Sequence, residues 1–265
     1  LLSDIPYLPI AAAADLGIPS VAIASLSWDA VLAAYFPHRD PDMTRWLQEM
    51  REAYQRTTLA LLPTPAIREG HPFPCAEEIG PLTLPGHRRR LALRQALGLG
   101  EEDERPLILV SLGGIPSTRL PVAALAQEVR CHWLLDVAVA QPPGHLHHTA
   151  PLLAQWSFAD LSASVDGVVS KPGYGMAVAA TIQQIPFLYL RRGIFPDEPP
   201  ICAWMEAHGR ALELTAEGFY GGDWYAPLRE LLDRPARCAP PADGAEQGAE
   251  KIMTRFLGRF GTGHA

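Results

Sequence analysis

The chain has 265 residues and a formal net charge of −7. Hydrophobic residues make up 48% of it, which supports packed cores and excludes a disordered chain. The acidic balance argues against nucleic-acid binding through a basic surface, and the one dense basic run, His87-Arg88-Arg89-Arg90, reads as a solvated helix start between domains.

The opening, Leu1-Leu2-Ser3-Asp4, has no Met and starts as if in mid-strand, so residues upstream of Leu1 are expected. From there the pattern predicts a strand over 1–5, a helix over 6–16, a strand over 20–25 and a helix over 29–36. A longer helix over 42–57 and a strand over 59–63 follow. Trp46, Met50 and Tyr54, at spacing four, predict the apolar face of the long helix. The apolar stretch from Tyr7 to Phe36 is broken by Asp15, Pro19 and Asp29, so it is no membrane span, and no signal peptide is legible. Residues 70–85 are rich in Pro and Gly, and a short helix over 88–97 leads into a second domain.

That domain begins with the continuous apolar run Leu107 to Leu112, typical of a buried parallel strand. A helix is expected over 121–128, a strand over 132–137 and a short strand near 155–158. His145, His147 and His148 fall in an exposed loop rather than a metal site. Residues 166–200 then give a strand end, the turn Lys171-Pro172-Gly173-Tyr174-Gly175, a helix over 176–184, a second apolar strand over 185–190, and a charged, proline-rich loop. The last helix, 245–260, puts Ile252, Met253, Phe256, Leu257 and Phe260 on one face, which must dock on something. Alternating strands and helices make this an α/β protein with parallel sheets. The four cysteines, Cys75, Cys131, Cys202 and Cys238, form no CxxC pair. Neither a disulfide framework nor a metal is therefore expected, and a cytoplasmic compartment fits.

Two glycine turns can carry chemistry. Gly113-Gly114, with Ser117 close behind, follows a strand and precedes a helix. It can cradle a phosphate or sugar, but on this pair alone a plain strand–helix junction is the simpler reading. The turn at Lys171, Gly173, Tyr174 and Gly175 is the stronger signal. It places a helix N-terminus at the C-terminal edge of a parallel sheet, where phosphates bind, and its two glycines allow close approach and positive φ. One strand later come Arg191 and Arg192, suited to phosphate, and Asp197 and Glu198, suited to sugar hydroxyls; the alternative is a local ion cluster among the four. Asp29 reads as a cleft residue or as a helix N-cap, and Asp4 as a base or as a turn residue.

These residues carry a family likeness. Gly173-Tyr174-Gly175, Ile185-Pro186, Arg191-Arg192 and Asp197-Glu198-Pro199 resemble the C-terminal domain of GT-B glycosyltransferases. The nearest likeness is to family-28-like transferases and the glycosyltransferase-like portion of L-arabinokinases. Leu107 to Gly114 looks like the first strand and glycine turn of that domain. Ser3-Asp4, Leu16 to Val21 and Ser27-Trp28-Asp29 resemble the later half of the N-terminal one. The resemblance implies two Rossmann-like domains with parallel sheets facing a cleft: 1–86 on the acceptor side, lacking its first strands, 87–244 holding the donor, and 245–265 a helix crossing back. It also implies a nucleotide-sugar donor, UDP-linked, an acceptor left unspecified, and no metal or other cofactor. The diphosphate would lie at the glycine turn, the sugar near Phe195 to Glu198, and a general base, Asp4 or Asp29, on the acceptor side. The family's ribose-binding Glu aligns with Ala179, and residues 176–184 contain no acid. A non-catalytic binding protein that keeps the fold is therefore the rival expectation, and an epimerase or hydrolase a third. No nucleic-acid partner is expected, and no basic amphipathic helix marks a membrane surface.

Overall fold

The structure, a computed structural model, describes residues 1–38, 40–84, 86–113 and 120–257. The chain divides into two compact units. Unit 1 comprises Leu1–Leu82, Gly193–Ile201 and the segment from Pro241; unit 2 comprises Thr83–Arg192 and Cys202–Pro240.

Unit 1 opens with β1 (Leu2–Ser3), α1 (Tyr7–Asp15), β2 (Val21–Ile23), α2 (Trp28–Tyr35) and α3 (Pro41–Gln55), followed by β3 (Leu59–Pro63) and β4 (Ala76–Ile79). The strands form one parallel sheet in the order β1-β2-β3-β4. Alternation along the strands sorts the core to two faces. Ala22, Ala24, Ala60 and Leu62 pack with Ile10, Tyr54 and Phe73, while Val21, Leu59, Leu61 and Ile79 form the opposite cluster. Helix α3 starts where Asp40 accepts from the Met43 amide at 2.8 Å, with Pro41 in the first turn. Its buried side chains are Leu47, Ala53 and Tyr54, whereas Trp46 is exposed. The expected face was rotated because a spacing of four overshoots a 3.6-residue turn by about 40° per step, and Leu47, seven residues before Tyr54, stays in line.

Unit 2 holds α4 (Arg90–Ala96), β5 (Leu107–Ser111), α5 (Val122–Leu125), β6 (His132–Leu135), β7 (Leu146–His148), α6 (Ala150–Leu153), α7 (Phe158–Ser164), β8 (Gly167–Ser170), α8 (Tyr174–Ile182) and β9 (Phe187–Tyr189). Helix α9 (Glu198–His208), which belongs to unit 2 only from Cys202, is followed by β10 (Ala211–Glu213), α10 (Ala216–Gly221) and α11 (Tyr225–Asp233). Its six strands are all parallel, in the order β10-β9-β8-β5-β6-β7. The order reverses between β5 and β8, which makes that pair the switch point of a doubly wound sheet. Their runs, LILVS and GVVS, are buried, and Trp133, Trp224 and Phe219 pack in the core beside them.

Three expectations change here. His145, His147 and His148 are not in an exposed loop: β7 pairs with β6, and His145 is buried with Nε2 3.2 Å from the Leu125 carbonyl. Residues 155–158 are no strand, because the Ser157 hydroxyl accepts from the Asp160 amide and caps α7. The arginine run is not simply solvated. Arg89 pairs with Asp160 at 3.0 Å, and Arg90 binds both Asp166 oxygens, at 2.7 and 2.9 Å.

The chain returns to unit 1 as α12 (Gly244–Ile252), continued by a π-helical turn, Met253–Leu257. Ile252 and Phe256 pack on the cluster of Leu59, Leu61 and Ile79, whereas Met253 and Leu257 are exposed and Phe260 lies outside the described residues. Among the described residues, Cys75, Cys131, Cys202 and Cys238 form no disulfide. Among the described residues no helix is long and apolar enough to cross a membrane.

Asp166 also accepts from the Leu107 amide at 2.9 Å, so one carboxylate ties α4 and the start of β5 to the residue before β8. Asp166→Ala should lower the unfolding free energy by about 2 kcal/mol in urea titration, against less than about 0.5 kcal/mol for Asp233→Ala in an exposed helical pair.

A buried chain of groups predicts acid sensitivity. His132 Nδ1 lies 3.0 Å from His147 Nε2, and His132 Nε2 lies 2.8 Å from Asp103 Oδ2. Burial, reinforced by the charge His132 would carry, holds His147 down to about 4, and burial lowers His132 as well. The unfolded chain therefore binds more protons below about pH 6.5, and stability should fall as pH drops from there towards 4. Asp103, held below the usual carboxylate range first by Arg105 and then by His132, adds stability that is lost at still lower pH. Unfolding midpoints measured across this window should fall less steeply in His147→Gln than in the wild type.

Candidate functional site

The C-terminal ends of β5 and β8 lie side by side, with Ser111 opposite Ser170, and the Ser170 hydroxyl donates to the Ser111 carbonyl. The chain leaves β5 through Gly113, whose φ of +49° favours glycine, and leaves β8 through Lys171 and Pro172 to Gly173. Gly173 is the N-cap of α8, with φ −88° and ψ 141°, and no side chain caps the helix. Tyr174 and Gly175 fill its first turn, which contains no acid. The first-turn amides thus lie at a helix N-terminus at the sheet edge, where the helix dipole is positive.

Lys171 joins the two turns. Its Cε lies 3.8 Å from where a Cβ on Gly113 would stand and 3.7 Å from one on Gly173. A Cβ on Gly175 would meet nothing within 4 Å among the described residues. Neither Gly173 nor Gly175 has positive φ, so their value is open approach rather than unusual backbone geometry; Gly113 is the one that needs the left-handed region. Gly114 and Ser117 lie outside the described residues.

Strand β9 neighbours β8, and Arg191 follows it two residues on. Arg191 pairs with Glu213 of the adjacent β10 at 3.0 Å, with both groups partly exposed, rather than being reserved for Asp197 or Glu198. Beneath it the Tyr189 hydroxyl donates to Glu206 at 2.6 Å, and burial together with that carboxylate raises its pKa well above the usual phenol. Arg192 is half-buried and closes this stretch of unit 2. Ala179 is half-buried in the second turn of α8.

Phe195, Asp197 and Glu198 belong to unit 1. The Phe195 ring meets Tyr35 edge-on, 6.0 Å between centroids. Asp197 and Glu198 are buried, and Glu198 is not loop but the first residue of α9; its Oε2 accepts from the Gly193 amide at 3.0 Å. Asp4 follows β1 and is exposed. Asp29 is not an N-cap, since Ser27 holds that position; it sits in the first turn of α2, buried, with one carboxylate oxygen 3.6 Å from Arg51 and the other without a hydrogen-bond partner. It lines a cavity of about 410 Å³ between α2 and α3.

The sequence pattern gave no sign of His71. It lines a second cavity in unit 1, of about 220 Å³, at the C-terminal ends of β2 and β3, beside Ala24, Leu62 and Phe73. Its Nδ1 is buried and has no hydrogen-bond partner among the described residues. A single histidine in a Pro/Gly-rich connector has no period to betray it; only the fold brings the apolar walls around it.

No family model matches the chain. L-Arabinokinase of Arabidopsis thaliana is 26% identical over 271 residues, covering 98% of this chain and 24% of that protein, so the chain spans about a quarter of its relative. Among solved structures, the spinosyn forosaminyltransferase matches at a TM-score of 0.58 and 17% identity, covering 92% of this chain and 73% of that one. The calicheamicin glycosyltransferase matches at 0.53 and 16% identity, with 94% and 72% covered. A UDP-glucosyltransferase from Polygonum tinctorium matches at 0.52 and 14% identity, with 94% and 73% covered. With its two parallel α/β sheets, the chain has the GT-B glycosyltransferase fold.

Proposed function

We propose that the chain binds a nucleotide sugar, UDP-linked, and transfers its sugar to an acceptor, with the diphosphate held at the switch point of unit 2. The observation that carries this reading is the convergence of Lys171 on both glycine turns at the ends of β5 and β8. Three features there suit a diphosphate: an ammonium group, a helix N-terminus with a glycine N-cap and no acid in its first turn, and glycines that leave the backbone open. The same amides and ammonium group would stabilise the charge that gathers on the diphosphate as it leaves. Arg191, Arg192, Tyr174 and Gly175 stand at the same sheet edge and belong to the proposed donor site. Phe195, Asp197 and Glu198 keep the sugar-side role implied by the resemblance. Asp4 or Asp29 as the base remains part of the proposal only through that likeness.

The rival, a binding protein without transfer activity, draws support from α8. Ala179 stands where the resemblance places a ribose-binding carboxylate, and the helix has no acidic residue.

A thermal-shift titration with UDP, GDP, dTDP and ADP tests the donor site, because a ligand that binds only the folded state raises the melting temperature. One nucleotide family should give a clear shift; no shift with any of them at millimolar concentration would overturn the reading. Lys171→Met should weaken nucleoside diphosphate binding by about 10- to 100-fold, the scale of a lost charge-assisted hydrogen bond, and nucleoside binding far less. Gly173→Val should abolish diphosphate binding at an unchanged melting temperature of the free protein, since the extended N-cap backbone accepts Val and, among the described residues, an added Cβ comes within 4 Å of the Lys171 side chain alone. Undiminished affinity in both variants would remove the turn from the site. Release of free sugar or of product with a supplied acceptor separates a transferase from the rival.

A further inference from the structure

The cavity of about 410 Å³ between α2 and α3 lies wholly within unit 1 and is polar where most ligand pockets are apolar. Gln48, Arg51, Glu52 and Gln55 line it from α3 at spacings of three and four, so one stripe of that helix makes a polar wall. Asp29 and Ala33, one turn apart, line it from α2. Ala33 and Leu47 add a small apolar surface.

Asp29 is the group in this wall that lacks a partner. It is 4% exposed, and among the described residues no hydrogen bond reaches either of its oxygens. Oδ1 is sealed from water, while Arg51 Nη1 comes only to 3.6 Å of Oδ2. The side chain keeps 5% of its surface, and with Oδ1 sealed it is Oδ2 that stands at the cavity. A buried carboxylate without donors is costly. Arg51 offsets only part of that cost, because it is itself half in solvent and donates to the Gly70 carbonyl at 3.2 Å.

The lining decides what kind of ligand would supply the missing donors. It carries two carboxylates, Asp29 and Glu52, against one guanidinium, so an anion would meet more repulsion than attraction. A metal ion needs a larger set of converging oxygen or nitrogen ligands, and none is present among the described residues. An ammonium group fits both conditions: it is positive, and it brings three N–H donors on a compact head. Its methylene stem can lie on Leu47 and Ala33. Glu52, whose Oε1 accepts from Gln48 at 2.8 Å, stands on the facing helix to receive a second ammonium.

We infer that this cavity is a binding site for a small aliphatic diamine, one ammonium on Asp29 Oδ2 and the other on the Glu52 side. The site stands independently of the glycosyl-transfer reading. It gives Asp29 a binding role and leaves to Asp4 the base role implied by the family likeness.

The probe is radiolabelled 1,4-diaminobutane in equilibrium dialysis against the 265-residue chain, with unlabelled diamine and 1,4-butanediol as competitors. The diamine should compete at least about 10-fold better than the diol, and its affinity should fall as salt is raised. Asp29→Asn keeps the shape of the side chain and should weaken diamine binding by about 10-fold or more. Glu52→Gln, at an exposed position, should weaken it by about 3-fold. Should Asp29→Asn fail to fold, Ala33→Phe fills the cavity from α2 and should cost about 10-fold. General attraction of a dication to a chain of net charge −7 would survive these substitutions. Undiminished affinity in the folded variants, equal competition by the diol, or no retained diamine would each overturn the site.

Discussion

The carboxylate of Asp166 fixes the part of unit 2 on which everything at its sheet edge depends. It receives both the Nε and an Nη of Arg90 and the amide of Leu107, so the entries of β5 and β8 are held by one group. A bidentate pair is directional, and this directionality sets register as well as distance. With Ile108 opposite Gly167, the strands run in step for four residues to Ser111 and Ser170. Gly167 lets them pack closely, since a Cβ there would stand 3.2 Å from Leu228 and 3.3 Å from Ile108. The two glycine turns therefore leave the sheet level with each other, and one lysine reaches both. A slip of one residue would send Lys171 to the other face of the sheet.

Unit 1 has a comparable hub in Tyr54. Its hydroxyl donates to the Ile5 carbonyl at 2.7 Å, and its ring meets Tyr7 and Phe73 edge-on at 6.5 and 5.3 Å between centroids. Burial raises the pKa of this phenol well beyond its ordinary value, so it stays a neutral donor. Ile5 is a β-branched residue at φ +64°, a conformation that costs energy and persists only where its surroundings hold it. The Tyr54 hydroxyl is one such hold. Because Phe73 leans on the same ring, the exit of β1 and a wall of the His71 cavity share one anchor.

Much of the fold was legible because it is written in local periods. Buried parallel strands such as Leu59–Pro63 and Leu107–Ser111 are continuous apolar runs, and glycine after a strand announces a turn. The turn at Lys171–Gly175 was legible on that signal. What the sequence hid depends on contacts distant along the chain. His147 and His148 look like loop residues until β6 supplies a partner strand. Arg88 to Arg90 look like a solvated run until Asp160 and Asp166, more than seventy residues on, arrive beside them. The reach of Lys171 towards Gly113 depends on the pairing of β5 with β8, and the isolation of His71 depends on walls drawn from β2, α2 and β3.

The entry to α9 has a consequence in chain entropy. Pro196, Pro199 and Pro200 restrict the backbone on either side of Asp197 and Glu198, and the last two sit in the first helical turn, where a missing amide hydrogen breaks no helical bond. Such residues narrow the unfolded ensemble, so ordering this segment costs less than ordering a flexible one of equal length. Gly193, at φ +86°, supplies the left-handed turn before them, a conformation that favours glycine. The entry to α9 is thus ordered twice over, by prolines that narrow the unfolded chain and by the buried Glu198 carboxylate that holds the Gly193 amide.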